Sequence, residues 1–306
     1  MTQNLRGALL MILAMALFAI EDMCIKLLSS DMSTGQIIAI LGGGGAVLVG
    51  LVALLTGQRI WTRALLHPAV IGRTLAEVFG TIGFITALAL TPITSASAIL
   101  QALPLAVTLG AALFLGETVG WRRWTAVGVG FCGVLLVIRP GLDSFEPASL
   151  FAVQAVIGLS ARDMLSRITP KEVTSPQLSL AAFIGLVPTG LLLMVVMGQA
   201  PVALTRDTWA LTFAAIVIGV LSYAAIVAAT RLGDVAVIAP FRYSRIAFAL
   251  IIGTLVFGER PDLATLIGAG IIVASGSYAL IREARLKQSA RRKEAGQASL
   301  RPPAKL

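Results

Sequence analysis

The chain has 306 residues, 57% hydrophobic and only 13% charged, with a net charge of +9. A soluble domain of this size carries roughly twice that charged fraction, so the composition excludes an ordinary soluble protein. Much of the positive charge lies in the tail 282–306 with no basic folded domain beside it. That distribution argues against nucleic-acid binding and fits a flank facing anionic lipid headgroups.

Windows of about 20 apolar residues predict ten membrane-spanning helices, near 7–29, 33–56, 68–90, 92–115, 121–138, 148–168, 175–198, 208–230, 234–256 and 262–281. The first is a retained span, because it carries Glu21 and Asp22 and lacks the small-x-small site of a cleavable leader. The same span holds Lys26, four residues after Asp22 on the same helix face. The second contains Gly42–Gly45 and Gly50, read as sites of close helix approach. His67, the single histidine, stands at the entrance to the third span beside Pro68. That span carries Arg73 and Glu77, again four apart. The fourth holds Gln101 and Pro104, and the fifth is glycine-rich (Gly128, Gly130, Gly133). Arg162, Asp163 and Arg167 occupy the sixth, and Pro188 predicts a kink in the seventh. The ninth carries Pro240, Arg242, Tyr243 and Arg245. Cys24 and Cys132 fall inside apolar runs and read as small buried side chains, with no disulfide framework and no metal site.

Lys and Arg number sixteen on one side of this ten-span arrangement and three on the other, or eight against three without the tail. By the positive-inside rule both termini are expected in the cytoplasm, which makes the chain a multi-pass protein of the cell (inner) membrane.

The sequence also repeats itself. EDMCIK at Glu21–Lys26 resembles RDMLSR at Arg162–Arg167, an offset of 141 residues. FLGE at Phe114–Glu117 resembles VFGE at Val256–Glu259, an offset of 142. Each half holds five spans, an odd number, so the halves enter the membrane in opposite senses. That is an inverted repeat, an architecture of secondary transporters that alternate access around a midplane site. The expected division is a first repeat at 1–147, a second at 148–284 and a basic tail at 285–306.

Two segments carry a resemblance to a known family. They are TPITSASAILQALPLAVTLGAALFLGETVGWRRWTAVGVGFCGVLLVI, Thr91–Ile138, and GDVAVIAPFRYSRIAFALIIGTLVFGERPDLATLIGAGIIVASGSYAL, Gly233–Leu280. With their glycine-glutamate followed by a glycine-rich helix, they resemble the drug/metabolite transporter superfamily and its EamA-type members, over residues 7–282. APFRY in the ninth span and the D-x-x-x-K of the first are similar to the subgroup that includes riboflavin and S-adenosylmethionine uptake carriers. The resemblance implies a carrier of a small organic metabolite.

Charges deep in a span usually face the bundle interior or a water-filled path. Arg242, Tyr243, Arg245, Gln101, Arg73 and Glu77 are therefore the candidate substrate-binding residues. Asp22, Lys26, Asp163 and Arg167 lie nearer helix ends and are the candidate coupling or gating ion pairs. Glu117 and Glu259 read as caps or loop contacts. Pro104 and Pro240 each remove a backbone donor, freeing the carbonyls of Leu100 and Ala236. Interrupted helices at similar places in two halves point to a binding site.

The leading expectation is riboflavin uptake, since embedded positive residues outnumber negative ones and suit a neutral, carbonyl-rich ring. S-adenosylmethionine, or an amino-acid-type metabolite in either direction, is the alternative. Arg242 and Arg245 would hold substrate oxygens, and Glu77, Asp22 or Asp163 would hold a proton or cationic group. With no Walker motif, one histidine and no catalytic constellation, neither ATP-driven transport nor a membrane enzyme is expected. No cofactor is called for, and the partners are substrate and lipid, with the chain a monomer or homodimer.

Overall fold

A computed structural model of the chain describes residues 3–117, 119–142, 144–232 and 235–299. All regular structure among them is helical: α1 (Gln3–Leu28), α2 (Thr34–Leu55), α3 (Pro68–Leu90), α4 (Ile93–Leu100), α5 (Leu103–Phe114), α6 (Trp121–Ile138), α7 (Ser149–Ser166), α8 (Ser175–Val196), α9 (Arg206–Leu232), α10 (Val235–Ile238), α11 (Ser244–Phe257) and α12 (Leu263–Ser299). Short 3-10 turns cover Arg63–Leu66 and Ala239–Tyr243.

These elements build the ten predicted spans. α4 and α5 together make the fourth, and α10, the turn Ala239–Tyr243 and α11 make the ninth. Pro68 opens α3 and Pro176 begins α8, where a missing N–H is harmless. The Thr174 side chain and Gln177 cap α8 reciprocally, satisfying two donors that would otherwise be orphaned. Glu259 caps α4 from the other repeat: its carboxylate accepts from the Ile93 N–H at 2.6 Å and the Thr94 N–H at 3.1 Å.

Nine helical segments among the described residues are long and apolar enough to cross a membrane. The remaining predicted span, α7, is diluted by Arg162 and Asp163, and its 18 residues stand at the short end of the range for a spanning helix, about 17–25. Its polar side chains are covered by α3, with which it forms one of the most extensive packings in the molecule. The last helix differs from expectation. It continues to Ser299, because its sequence beyond the membrane is rich in Ala, Arg, Lys and Glu, all good helix formers. Residues 300–306 of the predicted tail lie outside the described residues.

The principal helix pairings are α1 with α9, α3 with α7, α2 with α8, and α6 with α12, while α4 packs on α11. Exchanging the repeats turns α1–α9 into α7–α3 and leaves the other pairings unchanged, as a pseudo-two-fold axis requires. Glycine permits the closest approaches. A methyl group on Gly42 would meet Leu186 Cβ at 2.8 Å, and one on Gly133 would meet the Gly268 carbonyl at 2.8 Å. Gly128 faces open space, so close packing does not account for it. The largest apolar core runs through α1–α4, α6–α9, α11 and α12, and many of its members, such as Leu28, Met32, Ile37, Leu88, Ile93 and Ile138, lie at the end of the bundle where α1, α3 and α6 finish.

Candidate functional site

The two interrupted spans meet at their breaks. In the fourth span, α4 ends at Leu100 and α5 restarts at Leu103 with Pro104 in its first turn. In the ninth, Pro240 sits in the 3-10 turn that separates α10 from α11. Gln101, at the first break, donates its Nε2 to the Arg242 carbonyl at the second, at 3.1 Å. A buried amide thus satisfies a backbone carbonyl in an irregular turn, which hydrocarbon could not do.

From this junction the two arginines diverge. Arg245 reaches α1 and binds Asp22 bidentately, with Nε–Oδ2 at 3.1 Å and Nη2–Oδ1 at 2.8 Å. The pair is almost fully enclosed, and the guanidinium lies 5.1 Å from the Phe18 ring and 5.2 Å from the Phe84 ring. Aromatic faces and a fork-shaped ion pair together make a buried guanidinium tolerable. Arg242 is half-buried and makes no hydrogen bond or ion pair through its guanidinium among the described residues. It lies within electrostatic reach of Asp163, Arg162 and Arg245. Tyr243 turns elsewhere. Its ring is buried, and its hydroxyl, without a hydrogen-bond partner among the described residues, lies so close to Gly276 of α12 that a methyl group there would overlap it.

A second charged group joins α3, α7 and α8. Arg73 meets Glu77 at 2.8 Å, donates to Ser166 Oγ at 3.1 Å and donates to the Leu178 carbonyl at 3.2 Å. Arg162 bridges Glu77 at 3.2 Å and Asp163 at 2.8 Å. Two acids balance two guanidinium groups.

The local ion pairs suggested by four-residue spacing divide accordingly. Arg73–Glu77 forms as expected. Asp22–Lys26 does not, because Asp22 belongs to Arg245. Lys26 instead donates to the Leu88 and Thr91 carbonyls, at 3.1 and 2.6 Å, and sits 5.4 Å from the Phe257 ring. A cation there complements the C-terminal end of α3. Asp163–Arg167 does not form either: Asp163 pairs with Arg162, and Arg167 pairs with Glu117 at 2.6 Å on a more exposed surface.

At the end of the bundle where α1 and α3 finish, Arg139 and Asp262 join the repeats through a short ion pair. Asp262 lies in the connection before α12. The Arg139 hydrogen bond, followed by the Thr265 backbone N–H, holds its carboxyl well below the usual range. Residues singled out less strongly by sequence prove central here: Arg162 as a bridge, and Glu21, whose carboxylate lies against Gly219 of α9.

A multi-pass helical membrane protein, with two repeats meeting at paired helix breaks lined by embedded charge, is the architecture of a membrane carrier. The model of the EamA-like transporter family matches the chain twice, at residues 5–139 and 147–280. The chain belongs to that family. Similar relatives include an S-adenosylmethionine uptake transporter of Rickettsia conorii, 28% identical over 69% of this chain and 71% of the relative. A riboflavin transporter of Vibrio cholerae is 30% identical over 61% of this chain and 62% of its own length. A pseudopaline exporter of Pseudomonas aeruginosa is 24% identical over 90% of this chain and 96% of the exporter. A solved crystal structure with 17% identity shares the fold, at a TM-score of 0.63 over 93% of this chain and 98% of that one.

Proposed function

We propose that the chain is a secondary carrier that takes up riboflavin, or a closely related neutral ring compound, across the inner membrane. The observation that carries this reading is Arg242. It is an embedded guanidinium with no protein partner among the described residues, placed at the junction of the two helix breaks. An unpaired cation in a span is expensive unless a ligand or water meets it. Its N–H groups suit the carbonyls and hydroxyls of a flavin. Gln101, already held by the Arg242 carbonyl, fixes the wall on which that guanidinium stands. Relatives bearing the name riboflavin transporter support the substrate class.

S-adenosylmethionine, supported by other relatives' names, is the second reading. Its carboxylate would also suit Arg242. However, the carboxylates expected to receive its cationic centre, Glu77 and Asp22, are engaged by arginines.

In this account the repeats span 1–147 and 148–284, both termini face the cytoplasm, and one repeat rocks on the other. Arg73, Glu77, Arg162 and Asp163 brace α3 on α7, and Lys26, Arg139 and Arg167 act at the rims. The test is growth of a riboflavin-auxotrophic strain on limiting external riboflavin. Expression of the chain rescues growth, and Arg242→Ala abolishes the rescue at equal membrane abundance. Failure to rescue, with rescue of an S-adenosylmethionine auxotroph instead, would select the second reading.

A further inference from the structure

Four carboxylates lie within the spans: Glu21, Asp22, Glu77 and Asp163. Asp22 is held by Arg245, and Glu77 and Asp163 by Arg162 and Arg73. Glu21 makes no ion pair and no hydrogen bond among the described residues. The local charge count makes this significant. Glu21 and Asp22 both lie within electrostatic reach of the Arg245 guanidinium, whose Nε and Nη2 are committed to Asp22. Glu21 is half-buried, and with Asp22 holding the guanidinium the group carries one negative charge more than its base balances, which is costly inside a span.

The repeat shows that this excess is built in. At the offset of 141 residues Glu21 corresponds to Arg162, and at 142 residues Gly219 corresponds to Glu77. The Arg162–Glu77 ion pair across α7 and α3 is matched in space by Glu21 against Gly219 across α1 and α9. Where one interface has an acid facing a base, the other has an acid facing an empty position. A methyl group on Gly219 would come within 2.5 Å of Glu21 Oε1, so the glycine leaves the room in which that carboxyl sits.

We propose that Glu21 is a proton-binding site of the carrier, loading one proton as carboxylate becomes carboxylic acid and releasing it on the opposite side during the transport cycle. The groups facing it are few. Cys24 is on its own helix, and Asp22 and Arg245 neutralise each other. Tyr223 is the nearest titratable residue in the α9 sequence, Arg73 and Glu77 on α3 are paired together, and Arg242 and Tyr243 lie at the ninth-span break. None supplies Glu21 with a dedicated cation among the described residues, which leaves protonation as a means of neutralising the site. Asp22, next to Glu21 in sequence, pairs with Arg245 and so ties α1 to α11, giving the proton a mechanical route to the interrupted span.

Proton binding stands apart from the substrate reading; the coupling of that proton to transport rests on it. The test uses the full-length chain and has two arms. In the first, infrared spectra of the lipid-reconstituted protein are recorded from acid to alkaline pH. The wild type shows a protonated-carboxyl band that disappears on alkalinisation; Glu21→Gln lacks it, and Glu21→Asp retains it at a shifted pH. In the second, liposomes carrying the protein are assayed with riboflavin. Glu21→Gln keeps counterflow, but its uptake under an imposed pH gradient falls about tenfold, the size of a typical coupling between two sites. An unchanged carboxyl band in Glu21→Gln would overturn the proton site. Gradient-driven uptake equal to wild type would overturn the coupling. If riboflavin is not transported at all, the spectroscopic arm still decides Glu21, and only the substrate reading falls. Loss of S-adenosylmethionine counterflow in Glu21→Gln, with no change in the infrared band, would assign Glu21 to a substrate cation and reject the proton.

Discussion

The α3–α7 and α1–α9 interfaces occupy equivalent places in the two repeats, yet they solve the problem of embedded charge differently. The first is neutralised internally: Arg73, Glu77, Arg162 and Asp163 form a closed set of two acids and two bases. The second exports its only base-paired acid to the ninth span, through Asp22 and Arg245, and leaves Glu21 against a glycine. The difference teaches that a duplicated scaffold can keep one copy as a brace and free the other to bind. Charge that is satisfied within the protein stabilises a geometry, whereas charge left open invites a ligand.

The comparison breaks most severely at Arg245. Arg245→Ala strands Asp22 without a partner in an enclosed site, and the expected loss is about 3–5 kcal/mol. It is read as a large drop in the thermal midpoint of the detergent-solubilised protein. Adding Asp22→Asn recovers part of the loss, since the buried charge then goes too. A smaller effect sharpens the contrast between the interfaces. Glu77→Gln leaves Arg73 and Arg162 short of an acceptor and destabilises by about 1–3 kcal/mol. Glu21→Gln breaks no ion pair or hydrogen bond among the described residues and shifts the same midpoint little. Equal shifts in the two variants would erase the proposed distinction.

Gly219→Ala probes the space itself. The new methyl pushes on the Glu21 carboxyl, an effect of about 1–3 kcal/mol if the helices cannot part. Combining it with Glu21→Ala is expected to relieve most of the loss, a non-additivity that contact predicts. Least costly is Asp262→Asn at the exposed rim, where pairs contribute under about 1 kcal/mol. Because Arg139 depresses the Asp262 carboxyl, its contribution is present above the ordinary aspartate value of about 4 and fades only as pH falls through the lowered one. Midpoints of wild type and variant therefore differ near neutral pH and converge in strong acid.

Much of this layout is written in local sequence. Apolar runs give the spans, and Pro104 and Pro240 mark the interrupted helices, because proline acts on its own turn. Arg73 and Glu77 are correctly paired by their four-residue spacing. The same rule misassigns Asp22 and Asp163, since spacing defines a shared helix face but not what the opposite helix presents to it. Asp22 and Arg245 are 223 residues apart, and their meeting follows from how α1 packs on α11. Tyr243, next to Arg242 in sequence, is turned toward Gly276 by the 3-10 backbone, which spacing along a regular helix cannot foretell. The openness of Glu21 was implicit in the repeat, through Arg162 and Gly219, but becomes readable only once the interfaces are known to be equivalent.

The central claim is that Arg242 is held open for substrate. It is tested most directly by equilibrium binding of riboflavin to the purified full-length protein, followed through quenching of flavin fluorescence, in wild type and Arg242→Ala. Saturable binding by the wild type is predicted, weakened at least about tenfold in the variant, as expected when a charged hydrogen-bond partner is lost. The variant's thermal midpoint should stay close to that of the wild type, since the lost guanidinium has no partner among the described residues. Equal affinity in both proteins, with the midpoint unchanged, would contradict the account.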